Sequence, residues 1–136
     1  MARSKEQEDE RSIREIFKRW FAAMEAADID ELLELVTDHV IFKSPGTPAA
    51  VGRNALEDRL DNFHSRFREE VEHDVVEIAL IADDWAYARV LERSHVSARD
   101  GDAEADMRGM HLTVLRRTED GWRIHRDVAS LDHPMS

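Results

Sequence analysis

The stretch Val76–Ser130, VEIALIADDWAYARVLERSHVSARDGDAEADMRGMHLTVLRRTEDGWRIHRDVAS, decides the fold. Val76, Ile78 and Leu80 alternate with Glu77 and Ala79, the period-two pattern of a half-buried strand. Ala82-Asp83-Asp84 reads as a turn into a second strand, Trp85 to Ser97, and Asp100-Gly101 is a strong hairpin signal. A third strand runs from about Met107 to Arg117, and Thr118-Glu119-Asp120-Gly121 turns it into a fourth, Trp122 to Ser130. Four long antiparallel strands in a meander follow.

Before this stretch the period is helical. From Ser4 to Ala27, the residues Ile13, Ile16, Phe17, Trp20, Met24 and Ala27 recur at three- and four-residue spacing and share one helix face. Ser4 with Gln7 fits a capping box, although the terminal turn, residues 1–8, is expected to fray. Asp28 followed by Glu31 caps a second, short helix that carries Ile29, Leu32, Leu33, Leu35 and Val36 and ends near Asp38. Val40, Ile41 and Phe42 form a short strand, stopped by Pro45-Gly46-Thr47-Pro48. After Gly52, the spacing of Leu56, Leu60, Phe63 and Phe67 marks a third helix. Residues 1–136 therefore read as a single α+β domain, three helices and then a meander.

Composition narrows the partners. The chain holds 30 acidic against 19 basic residues, a formal charge of −11. That balance repels nucleic acid and anionic lipid. With 42% apolar residues the chain fills one core, and its cysteine count of zero removes disulfides, a thiolate nucleophile and Cys-ligated zinc. No apolar run approaches the roughly 20 residues of a membrane helix, so a cytoplasmic location is the default expectation. The seven histidines make no His-x-x-x-His pair, and Gly101 is misplaced for a calcium loop among Asp100, Asp102, Glu104 and Asp106. Nor is there a Gly-rich phosphate cradle. No metal and no cofactor is expected.

Several motifs together resemble a known family. Asp28-Ile29-Asp30, Thr37 to Phe42 leading into Pro45-Gly46-Thr47-Pro48, Gly52-Arg53-Asn54-Ala55-Leu56, and Gly121-Trp122-Arg123-Ile124 resemble a SnoaL-like domain of the nuclear transport factor 2-like superfamily, which includes ketosteroid isomerase. The resemblance implies a cone: a curved, mostly antiparallel sheet wrapped around the long N-terminal helix, with a small-molecule pocket at its open end. Many members dimerise through the outer sheet face. Of the isomerase's groups, the general-base aspartate falls on Ser44 and the oxyanion-hole tyrosine on Trp20, while Met110 to Arg116 contains no carboxylate for the second acid. Ser44 cannot accept a carbon-bound proton without a base beside it. Steroid isomerisation by that mechanism is not expected.

Other polar residues must then carry any chemistry. If the last hairpin closes with the three-residue loop Glu119-Asp120-Gly121, Val114 pairs with Arg126 and Leu112 with Val128. Their shared face, with Trp122 and Ile124, is the better candidate for the inner side, so Arg126 points towards the cone mouth. On the preceding strand Ala86, Ala88, Val90, Glu92 and Ser94 share a face, which sets Glu92 and Arg126 in one pocket as an acid–base or anchoring pair. In the alternative register Asp127 is the inward acid and Thr113 turns inward too; His39, near the mouth, is a further candidate base. The expected lining is Trp20, Phe42, Ser44, Phe63, Phe67, Leu112, Val114 and Val128. A salt bridge without chemistry is the competing reading of Glu92 and Arg126.

The opposite face carries Trp85, Tyr87, Arg89, Leu91, Arg93 and His95, with His111, Thr113 and Leu115 on the next strand. So much apolar area predicts a homodimer through that face. The expected function is small-molecule binding, with isomerase, cyclase or lyase chemistry. The alternative is a non-catalytic dimeric module that binds a ligand or a protein.

Overall fold

The computed structural model describes residues 4–132. Residues 1–3 of the expected frayed end, and residues 133–136, lie outside the described residues.

Helix α1, Lys5–Ala26, starts at the expected capping box: Ser4 Oγ accepts from Gln7 N, and Gln7 Oε1 accepts from Ser4 N. Residues 5–8, expected to fray, form its first turn. The helix buries Ile13, Ile16, Phe17, Trp20, Phe21 and Ala23, and it ends at Ala27, a left-handed residue with φ of 53°. Asp28 caps α2, Ile29–Glu34, by accepting from Glu31 N. This helix stops earlier than the apolar pattern suggested. Leu35 and Val36 are buried although they lie outside the helix, and Val36 opens β1, Val36–Lys43. The two-residue strand β2, Ala50–Val51, is too short to show a period in the sequence and begins two residues after Pro48. Helix α3, Arg53–Arg66, places Leu56 and Leu60 in the core, and Phe67 already belongs to the next strand.

The four long strands are β3 (Phe67–Ala82), β4 (Trp85–Ala98), β5 (Glu104–Thr118) and β6 (Gly121–Asp132). With the first two strands they form one curved, open sheet in the order β2-β1-β6-β5-β4-β3, in which only β1 and β6 pair in parallel. The helices lie on its concave side; α1 packs chiefly on β3, and Val75, Ala86, Ala88 and Val90 belong to the same buried core as its apolar stripe. Gly109 on β5 serves a close approach: a Cβ there would stand 2.5 Å from the carbonyl oxygen of Ser130 on β6.

Candidate functional site

Two turns set which side chains face the concave side. In the β4–β5 hairpin, Ser97 pairs with Glu104, and the register then runs without interruption through Glu92↔Gly109, Val90↔His111, Ala88↔Thr113 and Ala86↔Leu115. Because Ala86, Ala88 and Val90 are fully buried in the core beneath the helices, their partners His111, Thr113 and Leu115 face inward as well. In the β5–β6 hairpin Thr118 pairs with Gly121, so the loop is the two-residue Glu119-Asp120. The ladder then shifts by one residue between Val114 and Leu115, which leaves His125 as an extra residue on β6.

That bulge corrects the expected faces. Val114 does pair with Arg126, and Leu112 with Val128. Beyond His125, however, these residues have turned outward, while Trp122 and Ile124 before it stay inside. Leu112 is 46% and Val128 53% exposed, so neither lines a concave pocket, and Val114 shares their side. Arg126 also lies outside, where its Nη1 donates to the carbonyl oxygens of His39 and His125. The expected Glu92–Arg126 pair does not form. His39 is exposed and lines a groove of about 340 Å3 with Arg53, Arg116 and His125. Conversely, His111, Thr113 and Leu115, expected on the outer face, are inside.

The cation that meets Glu92 is His111. Its Nδ1 donates to Asp127 Oδ2 at 2.8 Å and its Nε2 to Glu92 Oε1 at 3.1 Å. Thr113 Oγ1 donates to the other carboxylate oxygen, Asp127 Oδ1, at 2.6 Å. Asp127 is only 4% exposed, and the side chains of Glu92 and His111 are each 16% exposed. Burial by itself disfavours the imidazolium, but the bonds to Asp127 and Glu92, together with their charges, outweigh it and hold His111 up at about 10. At neutral pH it is a cation with both N–H groups engaged.

Around this triad stand aromatic rings and two further titratable groups. Phe21 of α1 stacks on His73 of β3 at 4.6 Å and presents its edge to His111 at 6.0 Å. Burial lowers the His73 pKa, opposed by Asp74 and Glu92. Glu69, two pleats along β3 from His73, has its Oε1 buried without a hydrogen-bond partner. Burial, and then the charges of Glu92 and Glu25, push its carboxyl up to about 7 against the opposing charge of His111. Trp20 and Phe42 stack at 5.1 Å, and Phe63 lies 5.4 Å from Phe67. Ser44 belongs to the loop after β1, where its carbonyl oxygen accepts from Lys43 and Thr47. A larger surface cleft, about 550 Å3 beside Arg93, His95, Asp106 and Arg108, does not include Glu92, His111 or Asp127.

His111, Glu69 and His73 are absent from the sequence-derived candidates. For His111 a signal existed. Centring the hairpin on Asp100-Gly101 pairs Val90 with residue 111 and Ala88 with residue 113, which turns both inward as soon as the small residues of β4 are placed inside.

An open mixed sheet curved around helices, with ionisable groups on the concave side, is the nuclear transport factor 2-like fold. Within it, the family model of the SnoaL-like domain matches residues 13–134, and the chain belongs to that family. Similar solved structures include a conserved protein from Planctomyces limnophilus, 27% identical over 93% of this chain and 99% of that one, with a TM-score of 0.84. A ketosteroid isomerase-like protein from Erwinia carotovora atroseptica is 23% identical over 90% and 95% of the two chains, TM-score 0.83. The hexachlorocyclohexane dehydrochlorinase LinA, type 2, shares the fold at a TM-score of 0.87 with 9% identity over 96% and 91%. No curated protein matches the sequence.

Proposed function

We propose that the protein binds a small, mostly apolar molecule on the concave side of its sheet and acts on it by acid–base chemistry of its own side chains, as an isomerase, cyclase or lyase. The observation that carries this reading is His111 held between Glu92 and Asp127 beside Phe21. Three ionisable groups locked in register on a largely buried face are costly to fold, and such clusters concentrate where protons are moved. Fold kinship with an isomerase-like protein and a dehydrochlorinase agrees with the class of chemistry and does not select the substrate.

The test is a thermal-shift screen of uncharged aromatic and alicyclic alcohols, ketones and epoxides, followed by mass spectrometry of each stabilising compound after incubation. A ligand at a hundred times its Kd adds about 2.7 kcal/mol to stability. A stabilising compound that returns isomerised, or lighter by the elements of water, supports the reading. Stabilisation with every compound returned unchanged supports a non-catalytic binding module instead, a reading favoured by the saturation of His111 and Asp127 with internal bonds. No stabilisation by any class overturns both.

A homodimer through the outer face belongs to either reading. Leu91, Met110, Leu112 and Val128 are exposed together across β4, β5 and β6. Light scattering at micromolar concentration should give twice the chain mass of 15.7 kDa, and the single mass would defeat the dimer.

A further inference from the structure

The hydrogen bonds of the concave site leave few groups free to act. Both nitrogens of His111 are donating, one to Asp127 and one to Glu92, and both oxygens of Asp127 are accepting, from His111 and from Thr113. For His111 to exchange a proton it must first give up one of two charge-assisted bonds inside a low-dielectric space, where such bonds are strongest. The same holds for Asp127. On the next strands the position is different. Glu69 faces the same space from β3, and its Oε1 is shielded from solvent with no partner. An orphaned buried carboxyl oxygen in a native structure calls for an explanation, and a ligand proton is one that the geometry supplies.

We propose that Glu69 is the catalytic residue that exchanges a proton with the bound molecule, while His111 and Asp127 act as positioning residues that fix the charge and direction of Glu92. The inference rests on the acid–base reading above and names its working group. The groups facing Glu69 come from three elements: Glu25 of α1, Glu92 of β4 and His111 of β5. The two carboxylates favour the protonated form of Glu69 and the imidazolium opposes them, which suits it to give a proton below neutrality and to take one above. The ligand class that fits is an uncharged carbon acid or alcohol with an apolar body. A carboxylate or phosphate would meet Glu69, Glu92 and Glu25 as like charges.

The probe for the test is a nitrobenzisoxazole, a neutral aromatic carbon acid. A carboxylate takes its ring C–H proton, the C–H electron pair completes the nitrile, and the N–O bond breaks with its electron pair going to oxygen, which opens the ring to a single coloured cyano-nitrophenolate. The proton on the carboxyl group returns to solvent. Rates are followed from pH 5 to 9 on the full chain.

The expected profile rises with a midpoint near 7, the value at which Glu69 loses its proton, and falls about a hundredfold in Glu69→Gln. Glu92→Gln removes a charge that holds the proton on Glu69 and must move the midpoint down. His111→Gln removes the opposing charge and must move it up. These opposite displacements would not arise from a merely structural role, and they remain readable if Glu69→Gln fails to fold. Turnover unchanged in a folded Glu69→Gln, or a midpoint indifferent to Glu92→Gln, overturns this inference alone. Absence of wild-type turnover at every pH overturns it too; whether the wider acid–base reading also falls is then decided by the compound screen, which does not depend on this probe.

Discussion

Along the middle of strands β4, β5 and β6 the two faces exchange their usual contents, beside a concave core of Ala86, Ala88, Val90, Leu115, Trp122 and Ile124. The concave face carries Glu92, His111, Thr113 and Asp127, bonded to one another and largely shielded from water. The convex face carries Leu91, Met110, Leu112 and Val128, all substantially exposed. Burial of ionisable groups costs free energy unless each is paired, and exposure of a contiguous apolar patch forgoes hydrophobic stabilisation. Both costs are tolerated where each face has a further role, and in the reading proposed above the inner face holds chemistry while the outer one fits a second copy of the chain. Hydrophobic alternation locates the strands of such a sheet and names the faces of β4 and of Trp122 and Ile124 correctly, but it misassigns β5 and the part of β6 beyond His125.

The comparison breaks hardest at Asp127. Asp127→Ala leaves an imidazolium and a hydroxyl without their shared acceptor in a buried place, and it should cost about 3 kcal/mol in urea unfolding. If the loss is instead below that of an average surface substitution, the inner network is not an interdependent unit.

Titration sharpens the same contrast, since the concave face holds the two groups shifted furthest, Glu69 and His111. Folded Glu69 binds its proton up to about 7, against 4.5 for an unperturbed glutamate, so between these values the folded state holds more protons than the unfolded one. Stability therefore falls as pH rises from 4.5 through 7, by as much as about 3 kcal/mol. His111 goes from 6.5 to about 10 on folding, so its contribution is fully present below 6.5 and is lost as pH rises through 10. Unfolding at pH 5 and pH 8 should show the first decline in the wild type and a flatter profile in Glu69→Gln. An equally steep decline in that variant would move the origin elsewhere.

On the convex face the effect on the fold is smallest. Leu112→Glu, at a 46% exposed position, should change the stability of the isolated chain by no more than about 0.5 kcal/mol while lowering its association measurably by light scattering. A large loss of stability without any change in mass would assign Leu112 to the folded core after all.

Much of the architecture was legible in advance. The capping box at Ser4, the Asp28 cap, the apolar stripe of α1 and the turns at Asp83-Asp84 and Asp100-Gly101 are local signals, each read from a few neighbouring residues, and each appears in the structure. The strand pairs Val114↔Arg126 and Leu112↔Val128 were also anticipated, though for an incomplete reason: a two-residue loop and a later bulge sum to the register of a three-residue loop. Glu92 was placed on the inner face because Ala86, Ala88 and Val90 share its parity.

What the chain by itself determined is therefore the order of elements, their periods and most of their pairing, since these follow from backbone preferences and spacing that act over a few residues. Which face of β6 points inward beyond Ile124 was decided only by tertiary structure. A one-residue bulge at His125 reverses the parity of everything after it, and no composition rule reveals a bulge between two strands that are apolar on both sides. The same step sent Arg126 outward, brought Asp127 beside His111, and so put in place of an expected carboxylate–arginine pair a histidine held between two carboxylates.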